Sequence, residues 1–336
     1  MPADVSAPRA RLCLPLLALV ALLFSACEGA DDEDLEDGDA STSPHGPAPE
    51  GLGDDLTALL TYAVVGSGEL GATTLHDAPD DLQDQQEDAP VHRRIWALAR
   101  TIFASQIRWV HAFVVFTDGP DETLASVFQI HGEPAQWALA VDIADALDAN
   151  GDVGGTDFTY TLVHELGHII ALNADQIPVD PELAANPEDP DLLDEKRAAC
   201  STFFIEEGCT RPEAFLNTYY EQFWSDLDEA SAQIEDIDDD AAREDAIEAF
   251  YEANPDRFVT AYAASNITED FAESWSYFVL RAEPEGDAEK DAKVLYFYDY
   301  PVLVAAREDI LSSGAMTGMS ALERGLRAPH PRRHRR

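Results

Sequence analysis

The chain has 336 residues, of which 66 are Asp or Glu and 21 are Lys or Arg, for a formal net charge of −45. So negative a surface repels a phosphate backbone, which excludes nucleic acid as a surface partner. With 46% hydrophobic residues the chain can still bury a sizeable core, and the length suits one domain over residues 57–320.

In chain order, Arg9 and Arg11 lead into an apolar run from Leu12 to Ala26 that contains Pro15. The run is too short to span a bilayer and reads as a secretory signal over residues 1–26. It ends Ser25-Ala26-Cys27. Small residues directly before a cysteine resemble a bacterial lipobox, which implies a lipid anchor at Cys27. Glu28 follows instead of Asp, so an outer-membrane or cell-surface location is expected for an exported lipoprotein. Eight acids then fall between Glu28 and Asp39, followed by Ser, Pro and Gly. Residues 27–56 have little apolar surface to offset their ordering entropy, and their charges repel, so a disordered acidic tether is expected.

Apolar periodicity (Ile95, Leu98, Ala99, Ile102, Phe103) predicts a helix over 92–106. Strands are predicted at 108–117, 124–130 and 136–143. Asp148-Ala149-Asn150-Gly151-Asp152 makes a turn whose acidic spacing suggests a calcium loop. Val153 stands where such a loop needs Gly, however, and Thr159 where it needs the closing Glu.

The segment that follows carries the chemistry. His164-Glu165-Leu166-Gly167-His168 is an H-E-x-x-H motif in a buried helical pattern, over about 157–172, built on Phe158, Leu162, Val163, Leu166, Ile169, Ile170 and Leu172. Residues four apart on a helix share a face. His164 and His168 can therefore hold one Zn2+ ion while Glu165 faces the water that the metal activates. Gly167 is small enough to allow close packing there. The alternative is a buried helix whose histidines merely satisfy neighbours.

Cys200 and Cys209 are the remaining cysteines of the folded part. In an oxidising compartment they are expected to form a disulfide. Helices are then predicted at 212–225, 226–253, 256–263, 267–282 and 287–312. Within 267–282, Glu269 and Glu273 are four apart and share a face. One can complete the metal site while the other holds a ligand histidine, and spacing alone leaves open which does which. Histidines 76, 92, 111 and 131 lack partner spacing and read as ordinary. Arginines 324, 327, 332, 333, 335 and 336 make a basic tail over 321–336, expected to be disordered and solvated.

Tyr262, seven residues before Glu269, and the run Glu269-Asp270-Phe271-Ala272-Glu273 fit a Y-x6-E-x-F-A-E pattern. This resembles the second zinc motif of the gluzincin metallopeptidases, in the form found in the anthrax lethal factor catalytic domain. The two motifs together also resemble a group of bacterial lipoproteins classed as zinc-binding metallopeptidases. The resemblance implies His164, His168 and Glu269 as zinc ligands, Glu165 as general base and Tyr262 as a transition-state donor. It implies an α+β, two-lobed zincin-like fold: a small mixed sheet and the active-site helix, then a mostly helical lobe. It also implies that the strand at 136–143 lines the cleft and pairs with an extended peptide.

The expected activity is zinc-dependent hydrolysis of peptide bonds in a peptide or protein substrate. A zinc amidase acting on cell-wall peptides, or a zinc-binding lipoprotein without turnover, are the alternatives.

Overall fold

The computed structural model describes residues 46–53, 56–119, 123–187 and 189–315. The signal, Cys27, most of the tether and the basic tail lie outside the described residues.

The architecture is α+β. Five strands come first: β1 (Thr57–Val65), β2 (Glu69–Leu75), β3 (Val110–Thr117), β4 (Ala125–Ile130) and β5 (Glu133–Asp142). They form one mixed sheet in the order β2-β1-β3-β5-β4. β3 and β5 run parallel, with Val114 opposite Ala140; the other pairs are antiparallel. Short α1 (Gln83–Glu87) and longer α2 (Ala89–Ile102) sit between β2 and β3. Asp88 caps α2 by accepting the Val91 N–H, and Pro90 occupies its first turn, where a missing N–H does no harm. β3 is central and buried on both faces, which is why its sequence is a continuous apolar run rather than an alternation.

Phe113, Val115, Leu139 and Val141 belong to the main core with α2 and α3 (Thr156–Leu172). The opposite face, Val114, Phe116, Ala138 and Ala140, is covered by Leu52, Leu56, Phe128 and Ile130. Residues 46–53, expected in the tether, therefore lie against the sheet. Gly51 has φ +100°, and a Cβ there would sit 2.6 Å from the Phe128 ring. The Gly46 N–H also donates to the Leu75 carbonyl. The apolar side chain of Leu52 gives this stretch the burial that the acidic segment before it lacks.

Two expectations for the sheet need correction. β1 and β2 were not anticipated. And the strand at 136–143 cannot pair with a peptide, because β5 is hydrogen-bonded on one side to β3 and on the other to β4. The edge strand beside β5 is β4, and β2 is the sheet's other edge.

After α3 the chain is helical: α4 (Pro181–Ala185), α5 (Pro190–Ala199), α6 (Phe215–Phe223), α7 (Asp228–Glu235), α8 (Asp240–Ala253), α9 (Ile267–Leu280), α10 (Glu289–Tyr296) and α11 (Pro301–Ser312). The two-residue strands β6 (Phe204–Ile205) and β7 (Gly208–Cys209) form a hairpin closed by the Cys200–Cys209 disulfide, Cα–Cα 5.6 Å. The helix expected over 226–253 is broken where Asp239 caps α8 through the Ala242 N–H. That over 287–312 is broken at Pro301, which holds Tyr300 in extended backbone and starts α11. Residues 256–261 are not helical; a 3-10 turn covers only Tyr262–Ala264.

A buried aromatic cluster (Tyr219, Phe271, Trp275, Phe278, Phe297) joins α6, α9 and the segment after α10. Inside it Asp270 Oδ2 accepts from Tyr219, Trp224 Nε1 and, at 2.6 Å, Lys293 Nζ. Both ions are fully buried. Removing either partner would strand the other, so the pair fixes α9 against α6 and α10.

Candidate metal centre

α3 starts after Gly154 and Gly155, both at positive φ, and buries almost every residue along its length. That puts the H-E-x-x-H motif in the molecule's interior. α9 crosses α3 at Gly167, where a Cβ would meet Ala272 Cα at 2.8 Å and Trp275 at 3.1 Å. The absent side chain is what lets α9 come close enough to deliver its carboxylates.

The start of α9 sets their depth. Asn266 caps the helix by accepting the N–H groups of Thr268 and Glu269. Glu269 therefore sits in the first turn, at the mouth of the site, and Glu273 one turn deeper. Glu269 Oε2 lies 3.0 Å from His164 Nε2 and 3.4 Å from His168 Nε2, and the two imidazole nitrogens are 3.1 Å apart. Tetrahedral ligands about 2.0–2.1 Å from a zinc ion stand about 3.3 Å from one another, so the triangle has the right size.

The donor set fits as well. Glu273 is fully buried and receives three donors: Tyr160 Oη at 2.8 Å, Thr260 Oγ1 at 2.6 Å and His164 Nδ1 at 3.0 Å. A carboxylate can only accept, so the His164 Nδ1 carries a proton and its Nε2 can face Glu269 and His168 with a lone pair. Three electron-rich atoms then converge with at most one proton among them, and a cation at their centre satisfies all three. A proton competes with a metal ion for this place. Burial opposes charge on His164, but hydrogen bonds to Glu269 and Glu273 outweigh it and raise the imidazole well above its ordinary range. Burial likewise opposes charge on Glu269, and the two histidines draw it well below the usual carboxylate range.

His164, Glu165 and His168 thus form a buried group that could hold a metal ion. Glu165 also offers an oxygen within 4.8 Å of the imidazole nitrogens, but its Oε2 accepts the backbone N–H of Val127 at 3.0 Å. Glu269 is the nearer carboxylate. The choice between Glu269 and Glu273 that spacing left open falls to Glu269 beside the nitrogens, with Glu273 behind His164.

Tyr262 is brought to the same place. Its ring lies 5.7 Å from that of His164. Burial and then the charges of Glu269, Glu165 and Glu273 push its phenol well above the ordinary tyrosine range, and it is hydrogen-bonded to Glu269. It stays a protonated donor at any physiological pH.

Three contributors were not foreseen from sequence: Tyr160, Thr260 and the Val127 amide. Tyr160 was findable, since it stands four before His164 on the same helical face. Thr260 and Val127 come from distant segments and carry no local signal.

A second group of carboxylates, Asp118, Asp142 and Asp145, gathers where β3 and β5 end. The oxygens of Asp142 are engaged by the N–H groups of Asp118, Ala144 and Asp145. Burial nevertheless pushes its carboxyl up to about 7. In the turn at 148–152, Asp148 accepts the N–H groups of Asn150 and Asp152, as in an ordinary Asx turn. His76 and His92 are buried and paired with Thr61 and Tyr62, as expected of ordinary core histidines.

No family model, curated protein or solved structure matches the chain.

Proposed function

We propose that the chain is a zinc metallopeptidase, an exported hydrolase tethered to the membrane by lipid at Cys27. The observation that carries the reading is the convergence of His164 Nε2, His168 Nε2 and Glu269 Oε2 within 3.0–3.4 Å, with His164 oriented by Glu273. A zinc ion bound there would polarise the scissile carbonyl and acidify a water. Glu165, next to the site on α3, takes the proton of the attacking water and passes it to the leaving amine. Tyr262 offers its phenol to the oxyanion that develops on the carbonyl oxygen, an interaction made mainly in the transition state. Glu273 holds the His164 tautomer, with Tyr160 and Thr260 holding Glu273 in turn. The free edge of β4 takes the role that the resemblance gave to residues 136–143, offering backbone groups to an extended peptide. The α+β order, a sheet and then helices around α3, agrees with a two-lobed zincin.

The test is metal content together with turnover. The purified domain should carry one zinc per chain and hydrolyse labelled casein or a cell-wall stem peptide. Glu165→Gln should keep the zinc and lose about 10²–10⁴-fold in rate, the usual effect of deleting a general base. His168→Ala should lose the zinc. Cleavage of the stem peptide alone would favour the cell-wall amidase. Zinc without turnover on either probe would leave a binding lipoprotein.

A further inference from the structure

The carboxylate of Glu165 is held by backbone. Its Oε2 accepts the N–H of Val127, in the middle of β4, at 3.0 Å. Among the described residues β4 pairs with β5 alone, with Val127 opposite Leu139. In such a ladder alternate residues turn their N–H and C=O toward the partner strand and the others turn them away. An N–H that reaches Glu165 is of the second kind, and so are the backbone groups of Gln129, two residues on. An added peptide strand would bond to those outward groups first. At Val127 the N–H is engaged, and the strand is fixed there because the Val127 side chain packs on the main core.

We propose that the Val127 N–H is the positioning group of Glu165, resting on the hydrolase reading above. It fixes one carboxylate oxygen and leaves the other for the proton the base must take. A base works only from a held position within hydrogen-bond reach of that proton. The Val127 N–H is therefore closed to an extended substrate, whose edge hydrogen bonds are left to the Val127 C=O and to Gln129. A backbone donor suits this task, because it keeps its proton at every working pH and has no rotamer to lose.

Val127→Pro deletes the N–H, and it also trades the valine side chain packed on the core for a ring that fixes φ. An outward-facing position on an edge strand is where proline is tolerated. With the zinc-loaded protein and labelled casein, kcat should fall about 10- to 100-fold, the weight of one hydrogen bond to a charged group. KM and zinc content should stay as in the wild type, and the melting temperature should fall by a few degrees with the lost valine packing. A raised KM with kcat kept would show that this N–H serves the substrate, and would overturn the proposal. Amide exchange at Val127 tests the contact without activity and without the proline. The amide should exchange about 10-fold or more slowly in the wild type and in Glu165→Gln, whose carbonyl still accepts, than in Glu165→Ala. Equal rates in all three would overturn it. A wild type that holds zinc but cleaves neither casein nor the stem peptide defeats the hydrolase reading instead, and strips the contact of its role whatever the exchange shows.

Discussion

Gly167→Ala should separate metal binding from folding. The added Cβ would stand 2.8 Å from Ala272 Cα and 3.1 Å from both Ala272 Cβ and Trp275 Cδ1. Carbon atoms pack favourably at about 3.5–4.0 Å, so α9 must move away from α3 by about 0.7–1 Å. For the fold the effects nearly offset. Overpacking costs about 1–3 kcal/mol, while alanine in place of glycine inside a helix returns about 0.8–1 kcal/mol. A net loss of about 0–2 kcal/mol leaves the protein folded. The metal site has no such compensation. Glu269 lies one turn from Ala272 on α9 and moves with it, whereas His164 and His168 stay on α3. Spacings of 3.0 and 3.4 Å would lengthen by up to the same ~0.7–1 Å, beyond what one ion about 2.0–2.1 Å from each ligand can bridge. Zinc affinity, measured by competition with a chelator, should fall about 10- to 100-fold, the range seen when support of a ligand is lost. Melting of the metal-free protein should shift by only a few degrees. Wild-type zinc affinity in the variant would refute the reasoning, because it would mean that the close crossing at Gly167 does not set the ligand triangle.

Three further outcomes are expected, two at the metal site and one at Asp142. Glu269→Ala should lose zinc outright, whereas Glu273→Gln should retain it with affinity lower by about 10- to 100-fold; the reverse pattern in metal analysis would exchange their roles. Tyr262→Phe should keep zinc and melting temperature and lower kcat about 10²- to 10³-fold; full kcat in steady-state assays would remove the phenol from the mechanism. Asp142, pushed up to about 7, keeps its proton in the folded protein at a pH where the unfolded chain has lost it. The folded state then binds more protons between about pH 4 and pH 7, so this contribution is fully present below about pH 4 and is lost as pH rises to about 7. It is on the order of 4 kcal/mol at most. Melting curves across that window should show wild-type stability falling relative to Asp142→Asn, and a constant difference would show that Asp142 does not titrate there.

What the sequence determined is local. Two histidines four apart on an apolar helix share a face whatever surrounds them, so His164 and His168 were legible. Gly167 was legible as small, and Glu269 and Glu273 as a pair. The apolar runs of β3 and β4, and a cysteine pair nine residues apart, were likewise readable in place. Pro301 marked a helix break that periodicity alone passed over. Only the tertiary structure decided the rest, because each remaining question depends on what a distant segment brings. Whether Glu269 or Glu273 meets the nitrogens is set by where Asn266 starts α9 and by how closely Gly167 lets α9 approach. β4 and β5 carry similar apolar sequence, and which of them is the free edge depends on β3, which pairs with β5 across the sheet. The stretch at 46–53 looks like tether by composition, yet the face made by Val114, Phe116, Ala138 and Ala140 gives its Leu52 a place to bury. The Val127 amide, finally, has no side-chain identity to read. A backbone N–H becomes a functional group only when folding leaves it on an open edge and puts Glu165 3.0 Å away.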